Sequence, residues 1–247
     1  MRIEVILKNT DNKDIMLPIH YNELIQKIIY KNLPKLLSTF LHDIGFRYNN
    51  KPIKLFTFSK IFSNKIKLYK NYIFFSNTIS IFISSPIEII IKILRENLLK
   101  NEIIKLNVNK LKVDEIKTVP NPKFDNIMKI KTLSPITIYK TIIKNDKKYT
   151  NYIFPNDNEF NYLIKENIKK KYVIIQGIID KNISLDFQLE ISPINIKNKI
   201  LKYKNFIIKG IEGELELATD KPEIIEKIYD AGLGAKNSQG FGMFQII

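Results

Sequence analysis

The chain has 247 residues, 45% of them hydrophobic, which is enough for one large core or two ordinary ones and argues against global disorder. It has no cysteine and two histidines, which excludes disulfides, thiol catalysis and cysteine-based zinc sites and argues against a His-rich metal site. The 40 basic and 25 acidic residues give a net charge of +15, which indicates an anionic partner, although an AT-rich genome also enriches lysine without selection for binding.

The first half of the chain predicts the element order β-α-β-β-α-β, the split βαβ or ferredoxin-like arrangement. Its first helix, over 21–33, carries Leu24, Ile25, Ile28 and Ile29 at helical spacing. The second helix starts at a proline, a residue favoured in the first turn of a helix. The predicted strands cover residues 2–9, 54–62, 71–85 (two strands, broken at 76–77) and 103–119, and the second helix covers residues 86–100.

Pro120 and Pro122 form the predicted boundary, because two prolines in so short a stretch stop any regular element. We therefore expect an N-terminal domain over 1–121 and a C-terminal domain over 122–247. The most apolar window, 79–94, contains charged residues and a proline and is too short to span a membrane. With Glu4 in the first apolar run, no signal peptide is predicted, so we expect a cytoplasmic protein without a membrane partner.

The second half repeats the order. A helix over 155–172 should bury Phe160, Leu163, Ile164 and Ile168 on one face, with Asp157 or Asn158 as its cap. A last helix from Pro222 should bury Ile224, Ile225 and Ile228 and end at Gly232 in the left-handed conformation. The predicted strands cover 128–140, 173–178, 184–196, 203–218 and 241–247, at least one more than a second copy needs. The fold class is α+β, with two tandem ferredoxin-like domains of the RRM-like type.

Four of the eight glycines lie in GLGAKNSQGFGMF, residues 232–244. This loop is no Walker A motif, since it runs from helix to strand and its lysine precedes an asparagine, and its glycine spacing does not match a dinucleotide-binding fingerprint. One interpretation is a helix cap and a long turn, which accounts for the first glycine alone. The other is a loop that offers amides and polar side chains to a phosphodiester. Its candidate RNA-binding residues are Gly232, Gly234, Lys236, Asn237, Ser238, Gln239, Gly240 and Gly242.

The loop resembles the C-terminal glycine-rich loop of the CRISPR-associated endoribonucleases that cut precursor CRISPR RNA within its repeats. They belong to the repeat-associated superfamily of tandem ferredoxin-like RNA binders. Further matching stretches follow the family's order and spacing over essentially the whole chain. They are IIYKNL (28–33), FLHDIGF (40–46), KLFTFS (54–59), TLSPITI (132–138) and KYVIIQG (171–177).

The resemblance implies a metal-independent endoribonuclease that needs no cofactor. In that chemistry the ribose 2′-hydroxyl attacks the adjacent phosphorus and leaves a 2′,3′-cyclic phosphate (or a 3′-phosphate) and a 5′-hydroxyl. By match to the family's motifs, His42 is the general acid or base, Lys54 stabilises the charge of the transition state, and Tyr30 supports them. Without the resemblance, a lone histidine beside Leu41 and Phe46 also fits a structural role.

The implied partners are CRISPR repeat RNA and precursor CRISPR RNA, held largely by electrostatics. A CRISPR effector complex and a homodimer remain open as further partners. Arg47, Lys51 and Lys131 are candidate phosphate contacts. His20, before the first helix, is interpreted as a capping or surface residue, and a role as second proton donor stays open.

Three alternatives remain. The first is a family member that binds repeat RNA without cleaving it, against which His42 argues. The second is a structural RNA-binding subunit of an effector complex, a class that shares the loop but usually lacks the early histidine and the KLFTFS stretch. The third is an unrelated basic protein whose charge reflects genome bias alone, and the set of matching motifs argues against it.

Overall fold

A computed structural model of the chain describes residues 1–49, 51–177 and 185–247, which form two α+β units. The first unit contains β1 (Arg2–Asn9), β2 (Ile15–Pro18), α1 (Asn22–Lys31), α2 (Lys35–Thr39), a π-helical turn (Phe40–Ile44), β3 (Phe46–Tyr48), β4 (Lys51–Ile53), β5 (Thr57–Phe58), β6 (Ile66–Tyr69), β7 (Tyr72–Phe75), β8 (Thr78–Ser84), α3 (Glu88–Lys100), β9 (Ile104–Leu106) and β10 (Asn109–Val119). The second unit contains β11 (Ile127–Thr132), β12 (Tyr139–Lys144), β13 (Lys147–Tyr152), α4 (Phe160–Ile175), β14 (Leu189–Tyr203), β15 (Phe206–Thr219), α5 (Pro222–Ile228), two 3₁₀ turns (Tyr229–Ala231 and Asn237–Gln239) and β16 (Phe244–Ile246).

The main sheet of the first unit has the strand order β5-β8-β1-β10-β9. The first and third strands of the β-α-β-β-α-β pattern, β1 and β8, therefore lie at the centre, and β5 and β10 flank them, as in a ferredoxin-like fold. Ile3, Val5 and Leu7 are buried because alternate side chains of β1 point to one face of the sheet. They form one core with the apolar faces of α1 and α3.

The second sheet, β14-β15-β11-β16, repeats the arrangement, with β11 and β15 at the centre. The buried residues of α4 and α5 include those that their helical spacing predicts: Phe160, Ile164, Ile168, Ile224, Ile225 and Ile228. Leu163 is half-buried and packs at the edge of this core. The predicted fold class, two tandem ferredoxin-like domains, is confirmed. No helix of the described residues is long and apolar enough to cross a membrane.

The two units are joined by buried polar contacts. Arg2, which is 2% exposed, donates hydrogen bonds of 2.8 Å to the Tyr229 hydroxyl and the Phe244 carbonyl. Its Nε lies 3.3 Å from Oδ1 of Asp230, an ion pair without hydrogen-bond geometry. Because these groups are desolvated, the contact favours one orientation of the units. Residues 120–126 form no helix or strand, and the division into 1–121 and 122–247 stays a prediction.

One predicted strand, over 54–62, is much shorter than expected. Only Thr57 and Phe58 pair with β8, and a separate bridge joins Phe62 to Ser80. Leu55 has a φ of +47°, which takes the chain out of the extended conformation just before β5. The apolar residues of this segment are therefore buried mainly in a loop and not in a long strand.

The prediction of a strand over 173–178 is wrong for its described residues, 173–177, because α4 continues through Ile175. The β-branched residues there favour a strand. However, Lys171 is buried on the same face of α4 as Ile164 and Ile168, so the buried face of the helix continues to this point. Residue 178 lies outside the described residues, as does residue 184, the first of the next predicted strand; that strand begins at Leu189.

The strand predicted over 128–140 is two strands, β11 and β12, separated by a bend at Leu133 and Ser134. The sequence also missed five antiparallel pairings among the described residues: β2 with β7, β6 with β7, β3 with β4, β12 with β13, and β9 with β10, which were predicted as one strand over 103–119. The helix predicted from Pro86 begins at Glu88. Gly232 has a φ of +76° and a ψ of 164°, so it requires glycine but is not the predicted left-handed helical cap.

Candidate functional site

Three residues that the sequence singles out lie together beside the C-terminal half of α1. Tyr30 is on α1, His42 is on the π-helical turn that follows α2, and Lys54 lies between β4 and β5. The rings of Tyr30 and His42 meet edge-on with centroids 5.5 Å apart, and the Lys54 ammonium donates a hydrogen bond to the His42 carbonyl. The fold therefore brings a phenol and an imidazole into contact, and it holds an ammonium at the backbone carbonyl of the same histidine.

His42 has access to solvent and a defined orientation. Its side chain is 61% exposed, and Nδ1 lies 2.5 Å from Oδ1 of Asp43. That contact leaves Nε2 free of any described hydrogen bond, and an exposed imidazole with one nitrogen held can transfer a proton through the other. Asp43 is thus the neighbour that orients His42, a role that was not predicted from the sequence.

Tyr30 is anchored by its ring while its hydroxyl is unpaired. The ring packs edge-on against Phe56, with centroids 5.7 Å apart. The hydroxyl oxygen is buried and has no hydrogen-bond partner among the described residues. Burial, with smaller contributions from Tyr203 and Asp43, raises the pKa of Tyr30 above its ordinary value. Tyr30 therefore stays protonated and can donate a hydrogen bond to a bound group.

Lys54 is half-buried, and burial lowers its pKa; nearby Asp43 opposes this shift, and Lys204 adds to it. Lys204 comes from the turn between β14 and β15, in the second unit, so this hairpin reaches across to the first. The cleft beside His42, of 330 Å³, is lined by Glu23, Gln26, Lys27, Tyr30, Ser38, Thr39, His42, Asp43 and Lys204. Both units therefore build the site.

The arrangement can perform acid–base chemistry on an anionic substrate. The imidazole can move a proton, the ammonium groups can stabilise negative charge, and the phenol can donate a hydrogen bond. Among the described residues, no three His, Asp or Glu side chains lie close enough together to share a metal ion.

The predicted phosphate contacts differ in their surroundings. Arg47 and Lys51 are exposed on the β3–β4 hairpin, directly between His42 and Lys54 in the chain. Lys131 lies on β11, in the second unit, where its ammonium is 3.3 Å from the Glu214 carboxylate. The structure thus places the first two on the hairpin next to the His42 cluster, whereas Lys131 is ion-paired on another sheet.

His20 is not among the residues that line the His42 cleft. Its Nδ1 accepts a hydrogen bond of 3.2 Å from the backbone N–H of Lys202. Burial, with a smaller effect from Lys202, lowers the pKa of His20. It does not cap α1, whose N-cap residue is Tyr21 and has no side-chain capping bond. His20 therefore supports the β14–β15 hairpin.

The glycine-rich loop is largely buried, which changes the reason for its glycines. A Cβ at Gly234 would lie 2.4 Å from the Thr137 carbonyl oxygen, and one at Gly242 would lie 1.9 Å from that of Leu233. At Gly240 a Cβ would lie 2.4 Å from the Phe58 ring. The protein itself therefore fills the space beside these glycines, which accounts for them without RNA, and RNA binding by the loop stays a prediction.

Polar side chains fix the shape of the loop. The Asn237 amide donates hydrogen bonds of 3.0 Å to the carbonyls of Leu233 and Phe241. Lys171, 2% exposed, donates to the Gly232 and Gly234 carbonyls at 2.6 and 2.8 Å. Burial lowers the pKa of Lys171 to about 7. A neutral amine retains two N–H donors, enough for both bonds.

The loop also braces the helix that carries Tyr30. The side-chain amide of Gln26 donates a 2.5 Å hydrogen bond to the Ser238 carbonyl, and that of Asn22 donates a 2.9 Å bond to the Gln239 carbonyl. Lys236, whose pKa burial lowers, holds its ammonium 5.0 Å from the centre of the Tyr139 ring. The loop therefore positions α1, and its half-buried side chains line a cavity next to Lys54.

Sequence reasoning missed Lys204 and Lys171. A turn signal exists at Lys204-Asn205, but nothing in the sequence says where the hairpin tip lies in space. Lys171 lies in the helix predicted over 155–172, three residues after Ile168, so its helical spacing already places it on the buried face, but no buried lysine was predicted there.

Comparison with known proteins gives one consistent family. Residues 119–246 match the family model described as CRISPR associated protein Cas6, C-terminal. The chain is 30% identical over 244 residues to the CRISPR-associated endoribonuclease Cas6 of Pyrococcus furiosus, covering 96% of this chain and 86% of that protein.

Solved structures agree over the full length. The structure from the characterization of a Cas6-related gene of Pyrococcus furiosus superimposes with a TM-score of 0.84 at 26% identity, covering 100% of this chain and 98% of that one. A structure described as a RAMP protein binding different RNA substrates has a TM-score of 0.81 at 27% identity, with coverages of 100% and 99%.

Proposed function

The chain belongs to the Cas6 family of CRISPR-associated proteins, and from this premise we propose that it is an endoribonuclease that cleaves precursor CRISPR RNA within its repeats. The observation that carries the proposal is that His42 and Tyr30 meet in one cleft while Lys54 bonds the backbone carbonyl of His42. Such a substrate is a cellular transcript, which would place the reaction in the cytoplasm.

The proposed reaction uses the RNA's own 2′-hydroxyl as the nucleophile. Attack on the adjacent phosphorus requires removal of the 2′-proton and protonation of the leaving 5′-oxygen, and it yields a 2′,3′-cyclic phosphate and a 5′-hydroxyl. A 3′-phosphate forms only when water then hydrolyses the cyclic phosphate. His42 transfers a proton through Nε2, with Asp43 holding Nδ1. No step in this scheme requires a metal ion.

Lys54 and Tyr30 have supporting roles in this mechanism. The Lys54 ammonium stabilises the negative charge that develops on the phosphoryl oxygens, and partial burial strengthens that interaction. The Tyr30 hydroxyl, unpaired among the described residues, gains its hydrogen-bond partner when a phosphate or ribose oxygen binds. Its protonated state, maintained by burial, suits a donor.

RNA binding would rest on the basic residues around the cleft. Arg47 and Lys51 lie on the hairpin between His42 and Lys54 in the chain, and Lys204 of the second unit lines the cleft. Affinity for RNA should therefore fall steeply with salt, because each phosphate contact releases condensed counterions. A CRISPR effector complex and a homodimer remain open as further partners.

A second candidate function is binding of repeat RNA without cleavage. The similarity to a structure described as a RAMP protein binding different RNA substrates favours it, since that description speaks of binding. The two functions differ in one respect: only the enzyme needs a 2′-hydroxyl next to the scissile phosphate.

One experiment separates the two functions. The protein is incubated in EDTA with repeat RNA and, in parallel, with the same RNA carrying a 2′-deoxy substitution at the nucleotide 5′ to the cut. We expect cleavage of the first RNA only, with a 2′,3′-cyclic phosphate on the upstream product. Cleavage of the deoxy RNA, or a need for added metal, would overturn the mechanism, and binding without cleavage would support the second function.

A further inference from the structure

A second cavity, which the mechanism above does not use, lies behind Lys54. It has a volume of 270 Å³ and is bounded by the segment before β5, by α4 and by the glycine-rich loop. Its lining residues include Lys54, Tyr139, Asn167, Lys171, Lys236 and Gln239. Ligand pockets usually measure about 300–1,000 Å³, so this volume suits one small group and excludes a longer piece of chain.

The charge of the cavity is of one sign. Three lysines, Lys54, Lys171 and Lys236, line it, and no Asp or Glu is among the described lining residues. Burial lowers the pKa of all three, and nearby Asp43 opposes this shift only at Lys54. A cavity of this kind attracts an anionic ligand.

Two hydrogen-bond acceptors in the cavity wall lack partners. The side-chain oxygens of Asn167, on α4, and of Gln239, on the loop, are buried and make no hydrogen bond to any described residue. An unpaired buried acceptor is costly, and most such groups in native proteins find a donor. The missing donor would come from the ligand.

The cavity is connected to the reaction site by Lys54. Its ammonium bonds the carbonyl of His42, and its side chain also lines the cavity. A group bound there would therefore contact the residue that, in the proposed mechanism, faces the scissile phosphate. The ring of Tyr139, held under Lys236, adds an aromatic surface to the wall.

We propose that this cavity binds one nucleotide of the RNA next to the cleavage site and selects a base that carries an exocyclic amino group. The amino group of adenine, cytosine or guanine would donate to the oxygens of Asn167 and Gln239, whereas uracil has no such donor. The adjoining phosphate would face Lys54 and Lys236. This inference rests on the proposed function and identifies a specificity site within it.

The test is a binding scan that does not require cleavage. Repeat RNA is bound to the His42→Ala protein, so that the RNA stays intact. Each nucleotide around the cut is then replaced in turn by an analogue that lacks only the amino group: purine riboside for adenosine, inosine for guanosine and 2-pyrimidinone riboside for cytidine. Filter binding measures the dissociation constant of each RNA.

We expect one position at which loss of the amino group weakens binding about three- to tenfold, the change typical of one neutral hydrogen bond. In the Gln239→Met or Asn167→Leu background, that loss should shrink or disappear, because the acceptor is already gone. Gln188→Met, at an exposed residue away from the cavity, is the matched control and should keep the full effect.

A flat scan, or a position whose effect survives in both Gln239→Met and Asn167→Leu, would overturn the inference. Its failure and that of the proposed function are distinguishable. Cleavage with a flat scan rejects the specificity site alone, while an amino-dependent position without cleavage in the parent protein rejects the enzyme alone.

Discussion

The ring of Tyr30 meets the ring of His42 edge-on, with centroids 5.5 Å apart and planes at 76°. The Tyr30 hydroxyl nevertheless has no hydrogen-bond partner among the described residues. In Tyr30→Phe the ring contact is kept and only the hydroxyl is lost. Cleavage in single-turnover assays should slow about tenfold or more, as expected when one transition-state hydrogen bond is removed.

The same Tyr30→Phe variant should be as stable as the parent, or more stable by about 1 kcal/mol, because a buried unpaired hydroxyl is removed. Thermal unfolding measures this. Tyr203→Phe is the control with a paired hydroxyl, since Tyr203 donates to the Gln26 side chain, and it should lose stability. An unchanged cleavage rate in Tyr30→Phe would remove Tyr30 from the mechanism.

His42→Ala should reduce the cleavage rate about 10²- to 10⁴-fold, the usual contribution of a general acid or base. Because 61% of the side chain is exposed, the unfolding midpoint should barely move. The other histidine provides the control. Among the described residues, His20→Ala loses a bond to the Lys202 backbone outside the His42 cleft, and it should cleave repeat RNA at nearly the parent rate. Equal rates for both variants would show that His42 is not catalytic.

Gly234→Ala should destabilise the protein. The residue has a φ of +67°, and its new Cβ would lie 2.4 Å from the Thr137 carbonyl, which accepts a 2.7 Å hydrogen bond from Ala235. Gly177→Ala is the matched control: its φ is +63°, but no atom of the described residues lies within 4 Å of the new Cβ.

Gly177→Ala should therefore cost about 1–2 kcal/mol, the strain of positive φ alone, and Gly234→Ala clearly more. Denaturant unfolding provides both values. A Gly234→Ala protein with parental stability and weakened RNA binding would instead restore the interpretation that this glycine makes room for RNA.

The buried Lys171 should make stability depend on pH. Its pKa is about 7 in the folded protein and near 10.5 when unfolded, so between these values the unfolded chain binds more protons. Stability should then rise with pH above 7, by about 1.4 kcal/mol per unit at most, and Lys171 should contribute no slope below pH 7.

Urea unfolding at pH 7.5 and 9.5 measures the free energy of unfolding of the parent and of Lys171→Met. This lysine alone should make the parent about 2–3 kcal/mol more stable at pH 9.5 than at pH 7.5, and Lys171→Met should lack this rise. Lys169→Met, on the same helix and paired with Glu166, should keep it. An identical pH dependence in the parent and Lys171→Met would show that Lys171 stays charged when folded.

Asp230→Ala should loosen the junction between the two units. Removing the carboxylate leaves the buried guanidinium of Arg2 without its counter-charge, which typically costs about 3–5 kcal/mol. Glu214→Ala removes a more exposed carboxylate that pairs with Lys129 and Lys131, and it should have little effect on the unfolding midpoint. Similar midpoints for both variants would contradict a stabilising junction.

Local sequence patterns determined the fold class and much of the core. The apolar alternation of β1 and the helical stripe through Phe160, Ile164 and Ile168 each follow from the period of one element, so a short window contains the information. His42 and Lys54 were named from motifs alone, and their assignment to catalysis stays a prediction.

Only the tertiary structure decided the rest, because those features depend on groups far apart in the chain. Position 234 must be glycine because the Thr137 carbonyl leaves no room for a Cβ. Lys171 can be buried because two loop carbonyls accept its hydrogen bonds. The sequence predicts the two strands of the β14–β15 hairpin. The position of Lys204 beside His42, however, depends on how the two units pack. No local pattern encodes such a contact, since it arises from the whole fold.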